Sequence, residues 1–256
     1  MQDRYAGDIG DFGKFHLLRE LFKNSDELIA QIWYKYPDES HNSDGLHINY
    51  FDKVKDVDTE LEEKLSYISS SNRSIKALEE AKLLKNMKYF TAPVVNENQK
   101  DLEFRKRWLN DAVSFSNGKA IVAVDPDNGI ANKCIKQESK DMNKDIELLF
   151  FSDFKDKSKA GKHIFMDEID AFYNLQELKI LIIYHHLSRC TTHNKQIQII
   201  QSKFQARYYK VLAIKHKPYS PRVYFFVCKD EGTYLKLKES LGSFSLKFEN
   251  HWEYFD

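Results

Sequence analysis

The chain alternates between short, uniformly apolar runs and longer segments in which apolar residues recur every three or four positions. The strongest apolar runs are LIAQIWY (Leu28 to Tyr34), AIVAV within Lys119 to Gly129, and LKILIIYHH (Leu178 to His186). Runs with β-branched side chains on both faces are typical of strands that helices cover on both sides. The pattern predicts an α/β fold with a mostly parallel sheet and helices on both faces.

The spacing of apolar residues places the remaining elements. Helices are expected at FHLLRELF, at DTELEEKLSYI, around Arg105, Trp108 and Val113, at DEIDAFYNL, and at KQIQIIQSKFQARY. RSIKALE, ending at Glu79, and KYFTAPV are expected to be short strands. YYKVLAIK and RVYFFVC are separated by a turn too short for a helical crossover, which makes them antiparallel neighbours. We therefore expect one antiparallel C-terminal strand in the sheet.

Size and composition favour a single domain over residues 1–256. A chain of 256 residues, 42% of them hydrophobic, is long enough to bury a full core. The polar stretch 131–162 is expected to be an insertion or a mobile loop over the site, because such long loops in compact domains are usually functional or disordered. Lys plus Arg equal Asp plus Glu at 39 each, so net charge neither supports nor excludes a nucleic-acid partner.

Cysteine usage and hydropathy indicate a cytoplasmic protein without a membrane partner. Cys134, Cys190 and Cys228 are widely spaced and odd in number, which fits neither a disulfide framework nor a paired CxxC metal site. A reducing compartment is the natural inference. The first residues are acidic and lack an apolar core, so no secretory signal is expected, and no apolar run approaches the roughly 20 residues of a membrane span.

Polar side chains follow two of the buried strands, at Asp125, Asp127 and Asn128 in DPDNG and at His185 and His186 after LIIY. In open α/β sheets ligands bind at the carboxyl ends of the strands. Asp125, Asp127, Asn128 and His185 are therefore the candidates for catalysis. Neighbouring strand residues point opposite ways, so at most one of the two histidines faces the site. The alternative for DPDNG is a turn formed for purely local reasons.

The opening segment YAGDIGDFGKF places Asp8, Asp11 and Lys14 three residues apart. If a helix starts near Ile9, these side chains share one face at its N-terminus, where acids are favoured and Lys14 could reach an anionic group. The alternative is an acidic first turn that only caps the helix.

The turn YPDESHNSDGLH after the first strand gathers several acids. Nucleotide-binding sheets normally carry a glycine-rich loop here, but only Gly45 is present. A cofactor would be held by Asp38, Glu39 and Asp44 instead, or Mg²⁺ or Mn²⁺ would occupy the place, since carboxylate oxygens suit these ions. The alternative is an exposed, solvated loop.

The order of these motifs resembles a known family. YAGDxxDxxKxxxL, a DP strand end and an apolar strand ending in Tyr plus polar residues are similar to the bacterial adenine N6 methyltransferases of large-subunit ribosomal RNA. The resemblance implies a Rossmann-like methyltransferase-type sheet, S-adenosylmethionine as cofactor and nucleic acid as substrate. It also implies that Lys14 contacts the cofactor and that Asp125, the acid of the family's DPPY motif, accepts a hydrogen bond from the target amine.

Two segments depart from that family's pattern. DPPY is Asp125-Pro126-Asp127-Asn128 here, without the aromatic residue that stacks on a flipped base, and YPDESHNSDG replaces the glycine-rich loop. The chain looks still closer to a group of bacterial proteins that share YxGDxxDxxK, WYxxPDE, DPDNG and a closing aromatic motif, here Trp252 to Phe255. This second resemblance implies no activity.

Three functions remain open. In the first, a methyltransferase-like enzyme acts on nucleic acid, and Asp125 with Asn128 orients an exocyclic amine for in-line transfer. Its candidate cofactor-binding residues are Asp8, Lys14, Asp38, Glu39, Asp44 and Glu79, the last at the ribose. In the second, a nuclease or phosphoesterase uses one or two Mg²⁺ or Mn²⁺ ions, held by Asp8, Asp11, Glu39, Asp125 and Asp127. In the third, a degenerate domain binds a partner in a larger assembly and neither ligand.

Overall fold

The computed structural model describes residues 1–39, 45, 47–54, 57–97, 101–136, 144–154, 157–219 and 221–256. The strands are β1 (Ile29–Trp33), β2 (Met87–Phe90), β3 (Ile121–Asp125), β4 (Gly129–Ile130), β5 (Asn132–Lys136), β6 (Lys144–Leu148), β7 (His163–Ile164), β8 (Ile180–His186), β9 (Val211–His216), β10 (Arg222–Cys228) and β11 (Trp252–Phe255). The α-helices are α1 (Ile9–Phe22), α2 (Phe51–Val54), α3 (Thr59–Ser71), α4 (Ile75–Glu80), α5 (Leu102–Ser116), α6 (Met166–Tyr173), α7 (His193–Tyr208) and α8 (Glu231–Lys247). Short 3₁₀ helices occur at Asp3–Tyr5, Phe151–Asp153 and Lys157–Lys162.

Seven strands form the central sheet, in the order β11-β9-β10-β8-β3-β1-β2. β2, β1, β3 and β8 are parallel neighbours. β10 is antiparallel to both β8 and β9, so β9 runs in the same direction as the first four strands. The mostly parallel α/β sheet and the antiparallel pairing of β9 with β10 are confirmed.

The expectation of one antiparallel strand is wrong, because β11 adds a second on the outer edge of β9. Its first residue, Trp252, is buried, and Glu253 lies opposite Lys215. Lys215 Nζ donates to Glu253 Oε2 at 2.8 Å. Four residues with one buried aromatic side chain and one cross-strand ion pair are enough to extend the edge, a signal too short to separate from a loop in the sequence.

The predicted strand RSIKALE is also wrong, because this segment forms α4. Ile75 and Leu78 are both buried, and their spacing of three matches a helical period rather than the alternation of a strand. The Ser74 hydroxyl accepts a hydrogen bond from the Ala77 amide at 3.1 Å and caps the helix. Glu79 therefore lies in a helix and does not end a strand.

Helices cover the sheet on both faces, as predicted. Ile29 and Trp33 of β1 belong to one apolar cluster with α1, α3, α4 and α8, whereas Ala30 and Ile32 belong to a second cluster with α5, α6 and α7. Both faces of the central strands are buried, which explains their uniformly apolar sequences.

The described parts of the stretch 131–162 contain more regular structure than a loop. β5 and β6 pair as an antiparallel hairpin. Cys134 of β5 forms a disulfide with Cys190, which follows β8, across a Cα–Cα distance of 5.9 Å. The expectation that the cysteines form no disulfide is therefore wrong, because the fold brings together two residues separated by 56 positions. Cys228 is a free, buried thiol.

Within the ranges given above, no helix has the length and apolar character needed to cross a membrane.

Candidate functional site

A cavity of about 260 Å³ opens at the carboxyl ends of β3 and β8, beside the start of α1. Seven of the polar side chains singled out in the sequence line it, namely Asp8, Asp11, Lys14, Asp125, Asp127, Asn128 and His186. The rest of the lining comes from Met1, Tyr5, Gly10, Gly45, His47, Pro126, Tyr184 and Arg222. The opening motif and DPDNG, far apart in the sequence, therefore share one site.

The N-terminus of α1 forms one wall. Asp8 is the N-cap, and its Oδ1 accepts hydrogen bonds from the amides of Gly10 at 2.7 Å and Asp11 at 3.1 Å. The helix begins at Ile9, as predicted, and Asp8 both caps it and lines the cavity. A side chain at Gly10 would lie 3.0 Å from the Arg222 guanidinium carbon, so Gly10 permits the close approach of Arg222 to the helix.

Lys14 lies between two carboxylates at the base of the cavity. Its Nζ is 2.8 Å from Asp11 Oδ1 and 2.8 Å from Asp125 Oδ2, and all three side chains are at most 7% exposed. Asp11 Oδ2 also accepts a hydrogen bond from the Gly7 amide at 2.9 Å. Burial alone would lower the pKa of Lys14, but Asp11 and Asp125 raise it above its ordinary value. Lys14 is therefore a cation that ties the start of α1 to the end of β3.

The geometry at Asp125 leaves acceptor capacity. Lys14 Nζ is close to Asp125 Oδ2, but the angle of approach lies outside the hydrogen-bond range, and this oxygen has no hydrogen-bond partner among the described residues. We treat the contact as an ion pair, because the 2.8 Å separation of opposite charges holds whatever the angle. The Asp125 carboxylate lines the cavity and can therefore accept a hydrogen bond from a ligand there.

The Trp33 ring makes a cation–π contact with the ammonium of Lys14. Trp33 lies opposite Asp125 in the parallel register of β1 and β3, and Lys14 Nζ is 4.6 Å from the ring centroid. A cation over an indole face is favourable when the pair is buried. The position of the ammonium is thus fixed by an aromatic face as well as by two carboxylates.

The turn after Asp125 is held by the N-terminal segment and by the stretch 131–162. Asp127 Oδ2 accepts from Gln2 Nε2 at 2.7 Å, and its Oδ1 is 3.6 Å from the amino group of Met1. The Asn128 amide N–H donates to the carbonyl of Lys162 at 2.8 Å, and the Asn128 side-chain amide lies 3.4 Å from His163 Nε2. Asp127 therefore has polar partners, while Asn128 stays exposed at the rim.

The two histidines of β8 face opposite sides, as the strand geometry predicts. His186 lines the cavity. His185 is 1% exposed and lies outside the cavity, where its Nδ1 accepts from the Ile130 amide at 3.1 Å. Burial lowers the pKa of His185 to about 3, so this side chain is a neutral acceptor that positions β4.

The acids of the first-strand turn lie beside the cavity rather than in its lining. Glu39 accepts hydrogen bonds from Gln2 Nε2 at 3.3 Å and Arg4 Nη2 at 3.4 Å, and it forms an ion pair with Lys162. Asp38 Oδ1 accepts from the Arg4 amide at 3.2 Å. Asp44 lies outside the described residues, whereas its neighbour Gly45 lines the cavity.

Glu79 lies on α4 near the ends of β1 and β2, outside the cavity lining. Burial raises its pKa, with Lys35 opposing. A hydrogen bond from the Trp33 side chain also opposes this shift. The Tyr89 hydroxyl is buried without a hydrogen-bond partner in the described part of the chain, and burial raises its pKa above the ordinary value. Glu79, Trp33 and Tyr89 thus form a second buried polar group near the site.

Sequence reasoning missed three lining residues, Tyr5, Tyr184 and Arg222. Arg222 begins β10 and lies opposite His186 of β8. Because β10 is antiparallel to β8, its first residue lies at the carboxyl edge of the parallel strands. The predicted hairpin therefore contained a signal for Arg222, since the start of its second strand had to lie at this edge.

The arrangement combines carboxylates, one buried ammonium, one guanidinium and two phenol rings around a small cavity. Within the described ranges, no three His, Cys, Asp or Glu side chains are arranged to hold a metal ion. Between Asp11 and Asp125 the ammonium of Lys14 occupies the position that a shared ion would take. No family model, curated protein or solved structure matches this chain. Hydrogen bonding and charge complementarity toward an organic ligand are the chemistry that these residues can supply.

Proposed function

We propose that the chain is an S-adenosylmethionine-dependent methyltransferase-like enzyme with a Rossmann-like sheet that modifies an exocyclic amine in nucleic acid. The observation that carries the proposal is the position of Asp125 at the end of β3, in a cavity that β10 borders. β10 lies between β8 and β9 in the sheet and is antiparallel to both. A parallel sheet finished by such a hairpin is the layout of Rossmann-like methyltransferases. Ligands of open α/β sheets bind at this edge.

The residues at this edge fit an adenosyl cofactor in their donor and acceptor chemistry. The Asp125 carboxylate lines the cavity, and beside the site the Tyr89 hydroxyl is buried without a hydrogen-bond partner in the described ranges. Unsatisfied buried polar atoms are costly, so a ligand that pairs with them gains affinity. Glu79 would accept from ribose hydroxyls, and Asp8 and Lys14 would complete the polar wall. When bound, the cofactor supplies an electrophilic methyl group.

The reaction asks little of the protein beyond positioning. The Asp125 carboxylate accepts a hydrogen bond from the target amine, and the Asn128 side chain at the rim contacts the same heterocycle. A nucleophile held in line with a good leaving group needs no strong base, so orientation supplies most of the rate. The aromatic residue that DPPY has and DPDN lacks has two replacements in the same cavity, the rings of Tyr5 and Tyr184.

The metal-dependent nuclease is the second candidate, because four of its five proposed ligands line one cavity, namely Asp8, Asp11, Asp125 and Asp127. Mg²⁺ could bind there only if Lys14 left the two carboxylates that it now contacts at 2.8 Å. Displacing a buried ammonium from two carboxylates is costly. The third candidate, a binding domain without ligand chemistry, predicts no response to either ligand.

A thermal-shift titration separates the three functions. S-adenosylmethionine and S-adenosylhomocysteine should raise the melting temperature saturably, and Asp125→Ala should reduce the shift. A shift with Mg²⁺ or Mn²⁺ alone, lost in Asp125→Ala, would replace the methyltransferase with the nuclease. No shift with any of these ligands would leave the binding domain.

A further inference from the structure

The charges of Asp11, Lys14 and Asp125 do not balance. Two carboxylates contact one ammonium, each at 2.8 Å, and the three side chains are 2%, 7% and 7% exposed. With all three groups ionised, this triad carries one net negative charge away from solvent. A buried charge is stable only when it is paired and hydrogen-bonded.

The other charges in the cavity wall pair among themselves. Asp8 lies against Arg222 at the start of α1, and Asp8 and Tyr184 raise the pKa of Arg222 although burial opposes them. Asp127 is held by Gln2 Nε2 at 2.7 Å and lies 3.6 Å from the amino group of Met1. The unbalanced charge of the described lining therefore belongs to the Asp11–Lys14–Asp125 triad.

Two properties of the triad bear on its excess negative charge. Burial raises the pKa of Asp11 although Lys14 opposes the shift, so its ionised form lacks full compensation. The Asp125 carboxylate lines the cavity, so a ligand in the cavity can contact it directly. A positive charge beside Asp125 would satisfy both groups.

We propose that the triad makes the cavity selective for positively charged ligands, so that it favours the sulfonium of S-adenosylmethionine over the neutral thioether of S-adenosylhomocysteine. This inference rests on the proposed function for the identity of the ligand. Asp11 acts as a positioning residue through Lys14, and Asp125 provides the contact. The charge of the triad also favours release of the neutral product after methyl transfer.

Calorimetric titration of the full chain with three adenosyl ligands tests this selectivity. S-adenosylmethionine and sinefungin, whose amine replaces the sulfonium methyl, should bind about tenfold or more tightly than S-adenosylhomocysteine, since one unit charge near an ion in a partly buried site is worth at least this much. Equal or tighter binding of S-adenosylhomocysteine would overturn the inference.

A pair of variants locates the charge. Asp11→Asn keeps one acceptor oxygen for Lys14, loses the acceptor for the Gly7 amide and removes the net charge, and it should bring the preference for the cation close to one. Glu103→Gln removes one exposed charge outside the cavity, where Glu103 pairs with Lys106, and it should preserve the preference. Loss of preference in Glu103→Gln to the same extent would contradict the assignment to the triad. Circular dichroism of both variants checks folding.

A small-cation probe separates failure of the inference from failure of the proposed function. Trimethylsulfonium, followed by amide NMR shifts of Gly10 and Asp11, should bind where neutral dimethyl sulfone does not. If this cation binds and no adenosyl ligand does, the proposed function fails while the charge selectivity stands. If neither this cation nor any adenosyl ligand binds, the charge selectivity and the proposed function both fail.

Discussion

Arg105 Nε donates to Glu168 Oε1 at 2.7 Å, which joins α5 to α6 in the interior beside the site. Arg105 Nη2 donates at 2.8 Å to the carbonyl of His163, whose imidazole meets Asn128. The guanidinium carbon also lies 5.0 Å from the ring centroid of Tyr34. The pair thus anchors the segment that holds the rim of the cavity.

Glu168→Gln should lower the free energy of unfolding by about 3 kcal/mol or more, because it leaves the Arg105 charge buried without its partner. Denaturant unfolding measures the change. Lys106→Met, which breaks the exposed pair with Glu103 on the same helix, is the matched control and should change stability little. Similar losses of unfolding free energy in the two variants would show that the buried Arg105–Glu168 pair contributes no more than an exposed pair.

Gly129→Ala should lower the free energy of unfolding by about 2 kcal/mol or more, since φ is positive there and an added Cβ would meet neighbouring backbone. The φ of Gly129 is +87°, and the Cβ would lie 2.5 Å from His185 Cα. Gly242→Ala offers a control on α8, where a Cβ would meet nothing within 4 Å. That substitution should stabilise the protein by about 0.5–1 kcal/mol. Thermal unfolding of both variants shows whether each substitution stabilises or destabilises the protein.

Acid should destabilise the protein earlier than carboxylate titration alone would. Burial lowers the pKa of His16 and of His163 to about 4, and of His185 to about 3. The pKa of histidine in an unfolded chain is about 6.5. As pH falls from about 6.5 to about 4, the unfolded chain therefore binds protons that the folded chain does not bind, and this favours unfolding. Each such group removes up to about 1.4 kcal/mol per pH unit in that window.

His16→Phe tests one part of this effect, at a residue outside the cavity. Both ring nitrogens of His16 lack hydrogen-bond partners among the described residues, and the ring packs on Phe244 and Phe248. The variant should match the parent near pH 7.5 within about 1 kcal/mol and exceed it near pH 4.5. Urea denaturation measures the free energy of unfolding of the two proteins at both pH values. The same difference between the proteins at about pH 7.5 and at about pH 4.5 would contradict this assignment.

Reduction of the Cys134–Cys190 disulfide should lower stability by about 4 kcal/mol in the chain-entropy estimate for a loop of this size. Under denaturing conditions, thiol titration should give one reactive thiol, Cys228, before reduction and three after it. The double variant Cys134→Ser/Cys190→Ser should be insensitive to dithiothreitol. Three thiols in the unreduced protein would contradict the pairing.

Much of the architecture could be predicted from sequence because buried parallel strands leave a strong local signal. The uniformly apolar runs of β1, β3 and β8 fixed three neighbouring strands and therefore the edge where DPDNG lies. α4 was missed because a six-residue segment with two buried positions is too short to establish a helical period. β11 and the disulfide depend on partners distant in the sequence, which no local pattern records.

The site could be predicted in part for the same reason. Asp8, Asp11, Lys14 and Asp125 line one cavity, because α1 begins and β3 ends at the carboxyl edge of the parallel strands. Their contact with one another did not follow from the sequence, because the insertion of Lys14 between two carboxylates depends on how α1 packs on Trp33. Arg222 required the strand order as well as the strand itself.

The approach of Arg222 to Gly10 has a consequence for synthesis of the chain. The guanidinium from β10 closes a wall whose other side is the N-terminus of α1, more than two hundred residues earlier. Contacts of such sequence separation form late, after the intervening segments have been made. The cavity therefore lacks one wall until β10 has been synthesised, although shorter nascent chains already contain DPDNG.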